Sequence, residues 1–158
     1  ARGGDALEAV LFLDGDLGET AAQANLLLAP VLAGEADMSI AKFPKPAGKA
    51  GFGLVMGLAR WGIAALTGSD WRPDAPLSGQ RVLNHAAIEA AGDGLAAGYG
   101  VEVGLTVRAI RAGLRLVEVE TAMAHAATGR DMAGFVHRGR QFAHVARALA
   151  SLALGRQR

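Results

Sequence analysis

Apolar residues fall in short blocks separated by polar and glycine-rich stretches, and the blocks differ in period. Ala9–Leu13 (AVLFL) is a continuous apolar run, the pattern of a short strand covered on both faces. Glu19–Leu32 reads as a helix that Pro30 bends or ends early. Asp37–Phe43 (DMSIAKF) reads as a second strand, and the Pro/Gly/Lys stretch Pro44–Gly53 after it as a mobile loop. Leu54–Leu66 is apolar almost all round, which predicts a helix that is either buried or lying on a membrane surface. Gly68–Gly79 is irregular, and Ser78 is a candidate cap for a helix running to about Ala91. Gly92–Gly100 is a glycine-rich connector. Val101–Ala112 is amphipathic, with Val103, Val107 and Ile110 on one face and Gly113 where a helix would end. In Leu114–Thr121, Val117, Val119 and Thr121 alternate with Glu118 and Glu120, as in a strand. A last helix covers about Met132–Leu154.

Strands alternating with helices predict an α/β fold with a parallel sheet, and 158 residues suit one domain. Aromatic residues are only 5% of the chain, so Ala, Leu, Val and Gly must fill the core. Sixteen basic and 15 acidic residues leave a net charge of +1. No global field therefore calls for nucleic acid, and an anionic partner must be met locally. With no cysteine, disulfides and thiolate metal sites are excluded, which suits a reducing cytoplasm. The first residue is Ala1 and a buried-looking strand begins almost at once, so a natural segment is expected to precede it.

The first strand runs straight into Asp14-Gly15-Asp16. If the strand ends near Leu13, both acids leave its carboxyl end, where open α/β sheets bind ligands. Two hard oxygen donors there suit Mg2+ or Mn2+, and such a metal suits a diphosphate. A plain solvated turn is the simpler reading of the same residues. Haloacid-dehalogenase-type phosphatases also carry Asp-x-Asp-x-Thr after an apolar strand. Here Gly18 stands in the place of that Thr and Thr20 comes two residues late, so a phosphatase using Asp14 as nucleophile ranks lower.

Three later stretches, APLSGQRVL (Ala75–Leu83), GYGVEVGLTVRAIRAG (Gly98–Gly113) and VEVETAMAHAATGRD (Val117–Asp131), follow LDGD in order. Together they resemble the second half of a GT-A glycosyltransferase of the family-2-like kind, similar to the glucosyl-3-phosphoglycerate synthase type. The resemblance spans most of Val10–Gln141 and implies a three-layer sheet with helices on both faces. Most of the amino-terminal nucleotide-binding half would lie outside these residues, and the chain would be the acceptor- and metal-binding half. The implied activity is metal-dependent transfer of a sugar from a nucleotide-sugar donor to an acceptor hydroxyl or phosphate. Asp14 and Asp16 match the metal-binding acid pair, and His125 a histidine that completes the metal shell in some members. Glu102 matches an acid below the acceptor, a candidate base or sugar contact. Ser78, Gly79 and Gln80 match a loop near the transferred sugar, and Arg138 in HRGRQ a basic residue near the diphosphate. Glu102 would sit in the first helical turn, where the dipole favours a carboxylate.

The last helix places Phe135, Phe142, Val145, Leu149 and Leu152 on one side and His137, Arg140, His144 and Arg147 on the other. With the Leu54–Leu66 helix, which is too short to span a bilayer at roughly 20 residues, this basic stripe raises contact with an anionic membrane surface. The expected partners are a nucleotide sugar and either a small phosphorylated acceptor or a polyprenyl phosphate. The expected place is the cytoplasm, or the inner face of the cell membrane as a peripheral protein. An apolar edge on the first strand would favour association into a homo-oligomer. A non-catalytic membrane-facing or assembly module is the remaining alternative.

Overall fold

The computed structural model describes residues 8–44, 53–92, 100–123 and 133–155, with residues 133–140 described by their helical backbone alone. The elements are β1 (Ala9–Phe12), α1 (Ala24–Leu32), β2 (Met38–Lys42), α2 (Gly53–Thr67), β3 (Arg81–Asn84), α3 (His85–Ala91), α4 (Val101–Arg111), β4 (Leu116–Glu120) and α5 (Ala133–Ala153). A short 3-10 turn, Gly18–Gln23, leads into α1. The expected loop Pro44–Gly53 and connector Gly92–Gly100 fall largely outside the described residues.

The four strands form one mixed sheet in the order β1-β3-β2-β4. β2 and β4 are parallel, with Met38 opposite Leu116 and Lys42 opposite Glu120. β3 runs antiparallel to both neighbours, placing Arg81 opposite Phe12 on one side and Ile40 on the other. The parallel pairing that the apolar run of β1 suggested is found between β2 and β4 but not at β1, and the helix expected from Ser78 is corrected. Residues 81–84 are a strand, and the helix begins only at His85. Its cap is the Asn84 side chain, which accepts the Ala87 N–H at 3.0 Å. Ser78 lies instead in the loop before β3. The misreading has a physical origin: only Val82 and Leu83 are apolar in the strand, too few to reveal a period of two.

Side chains alternate across this sheet and bury on both faces, giving the expected three layers. Ala41 and Val82 pack with Leu27, Val31 and Leu17 under α1. Met38, Ile40 and Leu83 pack with Ala87, Leu105 and Ala109 under α3 and α4. Buried Ser39 faces α1 and donates to the Leu27 carbonyl at 2.7 Å, so its hydroxyl is satisfied.

A second layer of packing ties α2, α4 and α5 together through Val55, Ala59, Ile63, Val103, Val107, Val145 and Leu149. Gly62 lets α2 and α5 approach so closely that an added Cβ would stand 2.4 Å from the Leu149 methyl carbons. α2 is thus neither buried all round nor free, since Leu54 is 81% and Trp61 68% exposed on its outer side. Phe142, on the apolar side of α5, is exposed, so among the described residues that side is buried only from Val145 onward. No described helix is long and apolar enough to cross a membrane.

Candidate active site

β1 ends at Phe12, and the chain then turns through Gly15 and Asp16. Leu17 drives into the core under α1, and the 3-10 turn begins at Gly18, whose φ of 51° suits glycine. The Thr20 hydroxyl donates to the Leu17 carbonyl at 2.6 Å and closes this turn. Asp14 and Asp16 are therefore pinned between a strand end and a buried anchor, with both side chains reaching the surface.

The loop before β3 meets Asp14 from the neighbouring strand position. The Gln80 amide Nε2 donates to Asp14 Oδ2 at 2.6 Å, and the Ser78 hydroxyl donates to Gln80 Oε1 at 3.3 Å. Gln80 is itself buried. Gly79 lies against the same carboxylate, since a Cβ there would stand 3.5 Å from Asp14 Oδ1. Three residues of one loop thus orient one exposed acid, an arrangement that fixes a ligand before the ligand arrives.

Beneath the loop lies Arg81, which is 1% exposed. Its Nη1 donates to Thr106 Oγ1 at 2.8 Å, its Nη2 to the Pro76 carbonyl at 3.1 Å and its Nε to the Ser78 carbonyl at 2.7 Å. Burial pulls its pKa down to about 10, with Glu102 and Glu118 opposing that shift. Thr106 in turn donates to the Glu102 carbonyl at 2.9 Å, so Arg81 is linked to the first turn of α4.

Glu102 has the opposite problem. Burial raises its carboxyl pKa, Arg81 pulls it back, and the charge of Asp14 raises it further. Its Oε2 is buried with no hydrogen-bond partner among the described residues. A buried acceptor without a donor costs on the order of 1–3 kcal/mol, more when charged.

Of the residues predicted from sequence, Asp14, Ser78, Gly79 and Gln80 meet at one corner, and Glu102 lies in the same electrostatic environment. Asp16 follows Asp14 on the turn and is exposed. His125 and the side chain of Arg138 lie outside the described residues. No group of three or more His, Cys, Asp or Glu side chains arranged to hold a metal occurs among the described residues. The two carboxylates at 14 and 16 nonetheless fit Mg2+ or Mn2+ in donor type, and Gln80 holds one of them in place. Sequence reasoning missed Arg81. Its only signal was parity: if residues 81–84 form a strand, Arg81 and Leu83 share a face, and Leu83 is buried.

No protein-family model matches the chain, and no sequence among the curated proteins matches it. Solved structures do. Glucosyl-3-phosphoglycerate synthase from Mycobacterium tuberculosis, in complex with Mn2+, uridine diphosphate and phosphoglyceric acid, superimposes with a TM-score of 0.64 at 25% identity. That match covers 92% of this chain and 48% of the synthase. The same enzyme in complex with Mg2+ and uridine diphosphate gives a TM-score of 0.66 at 25% identity, covering 92% and 49%. A structure described as a mycobacterial protein gives 0.66 at 27% identity, covering 92% and 46%. The chain spans about half the length of the structures it matches. Over that half, the chain is similar in fold to glucosyl-3-phosphoglycerate synthase, a GT-A glycosyltransferase of the family-2-like kind.

Proposed function

We propose that this chain is the acceptor- and metal-binding half of a divalent-metal-dependent glycosyltransferase. The donor is a nucleoside-diphosphate sugar, with UDP-glucose the first candidate. The acceptor is a hydroxyl of a small phosphorylated molecule. The observation that carries this reading is the Asp14 corner: an exposed carboxylate at the end of β1, held by Gln80, against Gly79, in the field of the half-buried Glu102. The complexes of the similar synthase with Mn2+, UDP-glucose and phosphoglyceric acid support the choice of ligands.

Asp14 and Asp16 would hold the metal, with His125 a third donor, and the bound ion would offset charge developing on the departing diphosphate. Gln80 keeps the Asp14 carboxylate from rotating. Oε2 of Glu102, buried and unpartnered, accepts a hydrogen bond from a sugar or acceptor hydroxyl, which supplies the donor that the fold withholds. Ser78 and Gly79 line the approach to that hydroxyl, and Arg138 is assigned to the diphosphate.

The test is Mn2+-dependent UDP-glucose binding and turnover by the full-length protein, with phosphoglycerate as acceptor. Asp14→Asn should reduce Mn2+ affinity and turnover by roughly a hundredfold or more. Wild-type protein that binds neither Mn2+ nor any nucleotide sugar would reject the reading. A second reading, contact of α2 with an anionic membrane surface, rests on the exposure of Leu54 and Trp61. It requires co-sedimentation with anionic vesicles that Trp61→Ala weakens.

A further inference from the structure

The loop between α2 and β3 has no ladder of its own, yet its backbone is held almost residue by residue by charged side chains from three surrounding elements. From α2, Arg60 Nε donates to the Pro73 carbonyl at 2.7 Å and Nη2 to the Asp74 carbonyl at 2.8 Å. From β4, the two oxygens of Glu118 accept the N–H groups of Asp74 and Ala75 at 2.8 and 2.6 Å. From β3, Arg81 takes the carbonyls of Pro76 and Ser78. The Ser78 N–H closes a turn on the Ala75 carbonyl at 3.1 Å. Lys42, at the end of β2, adds an ion pair to the Asp74 side chain at 2.9 Å.

This is an unusual way to satisfy a loop. Backbone groups outside regular structure ordinarily turn to water. Here charge-assisted bonds, about twice as strong as neutral ones, replace water on both donors and acceptors. Pro73 and Pro76, both buried, limit the alternatives the loop could sample. The segment so held ends in Ser78-Gly79-Gln80, whose position determines whether the Gln80 amide reaches Asp14.

We infer that Glu118, acting with Arg60 and Arg81, is a brace that fixes the 73–80 loop in its site-forming shape before any ligand binds, which makes Glu118 a positioning residue for the Asp14–Gln80 corner. Glu118 sits on the edge strand β4 and reaches the loop backbone, where an apolar residue would leave two adjacent N–H groups unpaired. The pre-organisation claim stands on the geometry alone; its consequence for sugar transfer rests on the proposed function.

Amide hydrogen exchange on the unliganded full-length protein tests the brace. In Glu118→Ala, the amides of Asp74, Ala75 and Ser78 should exchange roughly tenfold faster or more, while amides of β2 and β3 keep their protection. Glu118→Gln, which retains one acceptor, should lie between. Unchanged exchange across the loop overturns the inference, and so does an increase shared equally by β2 and β3, which would mean general loosening. Turnover supplies the second arm. A loop ordered only by ligand should raise KM several-fold with kcat largely retained. A fall in kcat at constant KM would assign Glu118 to the chemistry and overturn the positioning role. Absence of wild-type turnover would defeat the transferase reading, with the exchange arm still deciding the brace.

Discussion

The two ends of the sheet carry buried or half-buried acids with opposite fates. At the amino end of β2 and β4, Asp37 is fully answered. It accepts the Arg115 backbone N–H at 2.8 Å, Arg115 Nε and Nη2 at 3.1 Å each, and Asn84 Nδ2 at 3.0 Å. Those bonds, with Arg115 foremost, hold its pKa below the usual carboxylate range. At the carboxyl end, Glu102 is shifted upward by burial, and its Oε2 has no partner. The buried cation beside it, Arg81, spends its hydrogen bonds on two carbonyls, a hydroxyl and the Met38 sulfur. One end is wired for stability; the other keeps a half-buried carboxylate whose charge burial opposes and Arg81 offsets only in part, as ligand sites commonly do.

The largest effect expected from this contrast is at Arg81. Arg81→Met should cost about 3–5 kcal/mol in urea unfolding, because it strands the Pro76 and Ser78 carbonyls and leaves Glu102 without its positive neighbour. A loss below about 1 kcal/mol would show that Arg81 is not the pivot of the site end.

Next comes the paired end. Asp37→Ala should lower Tm by roughly 5 °C near neutral pH. Because the folded pKa of Asp37 lies below its unfolded value of about 3.9, its stabilisation is present above that value and is lost as pH falls through the folded one. The gap between variant and wild type in a Tm-against-pH series should therefore close only in acid.

Glu102→Gln should act in the other direction. Raised folded pKa means that the ionised acid opposes folding at high pH, and the opposition fades as pH falls through the folded value toward about 4.3. The variant should melt roughly 2–4 °C above wild type at pH 8, converge with it in acid, and, under the proposed function, lose sugar transfer. A variant that is less stable at every pH would mean that Glu102 is paired in solution, and the contrast between the ends would fail.

Smallest is the exposed rim of the site end. Lys42 bridges Asp74 and Glu120 at 2.9 and 3.1 Å, but it is only half-buried and both its partners are exposed. Lys42→Gln should leave Tm within roughly a degree, with the small difference abolished by salt. Burial, not the number of ion pairs, is what separates Arg81 from Lys42.

Much of this was legible along the chain. The apolar run of β1, the period of α4 and the alternation of β4 were each read to within a few residues. The Asp14–Asp16 turn was read as a ligand corner because two acids follow an apolar run, a reading carried into the proposed function, although β1 itself is at most half-buried. β3 was not legible, since Arg81 and Asn84 bracket just two apolar residues and imitate a helix start. α2 reads as apolar on all sides, but only Val55, Ala59, Gly62 and Ile63 are buried, with Leu58 and Leu66 packed partly against the same cluster.

The residue order by itself determined the α/β class and the acidic turn at Asp14–Asp16, because hydrophobic period and turn chemistry are local properties, while the three layers and the choice of Glu102 came from the resemblance of its motifs to GT-A glycosyltransferases. Only the tertiary structure decided that an arginine would be buried beneath the loop, that Gln80 would hold Asp14, and that Glu118 would brace the backbone between them. Those contacts join residues far apart in the chain. Their energies depend on burial and on which partners are brought together, and no window of sequence contains either.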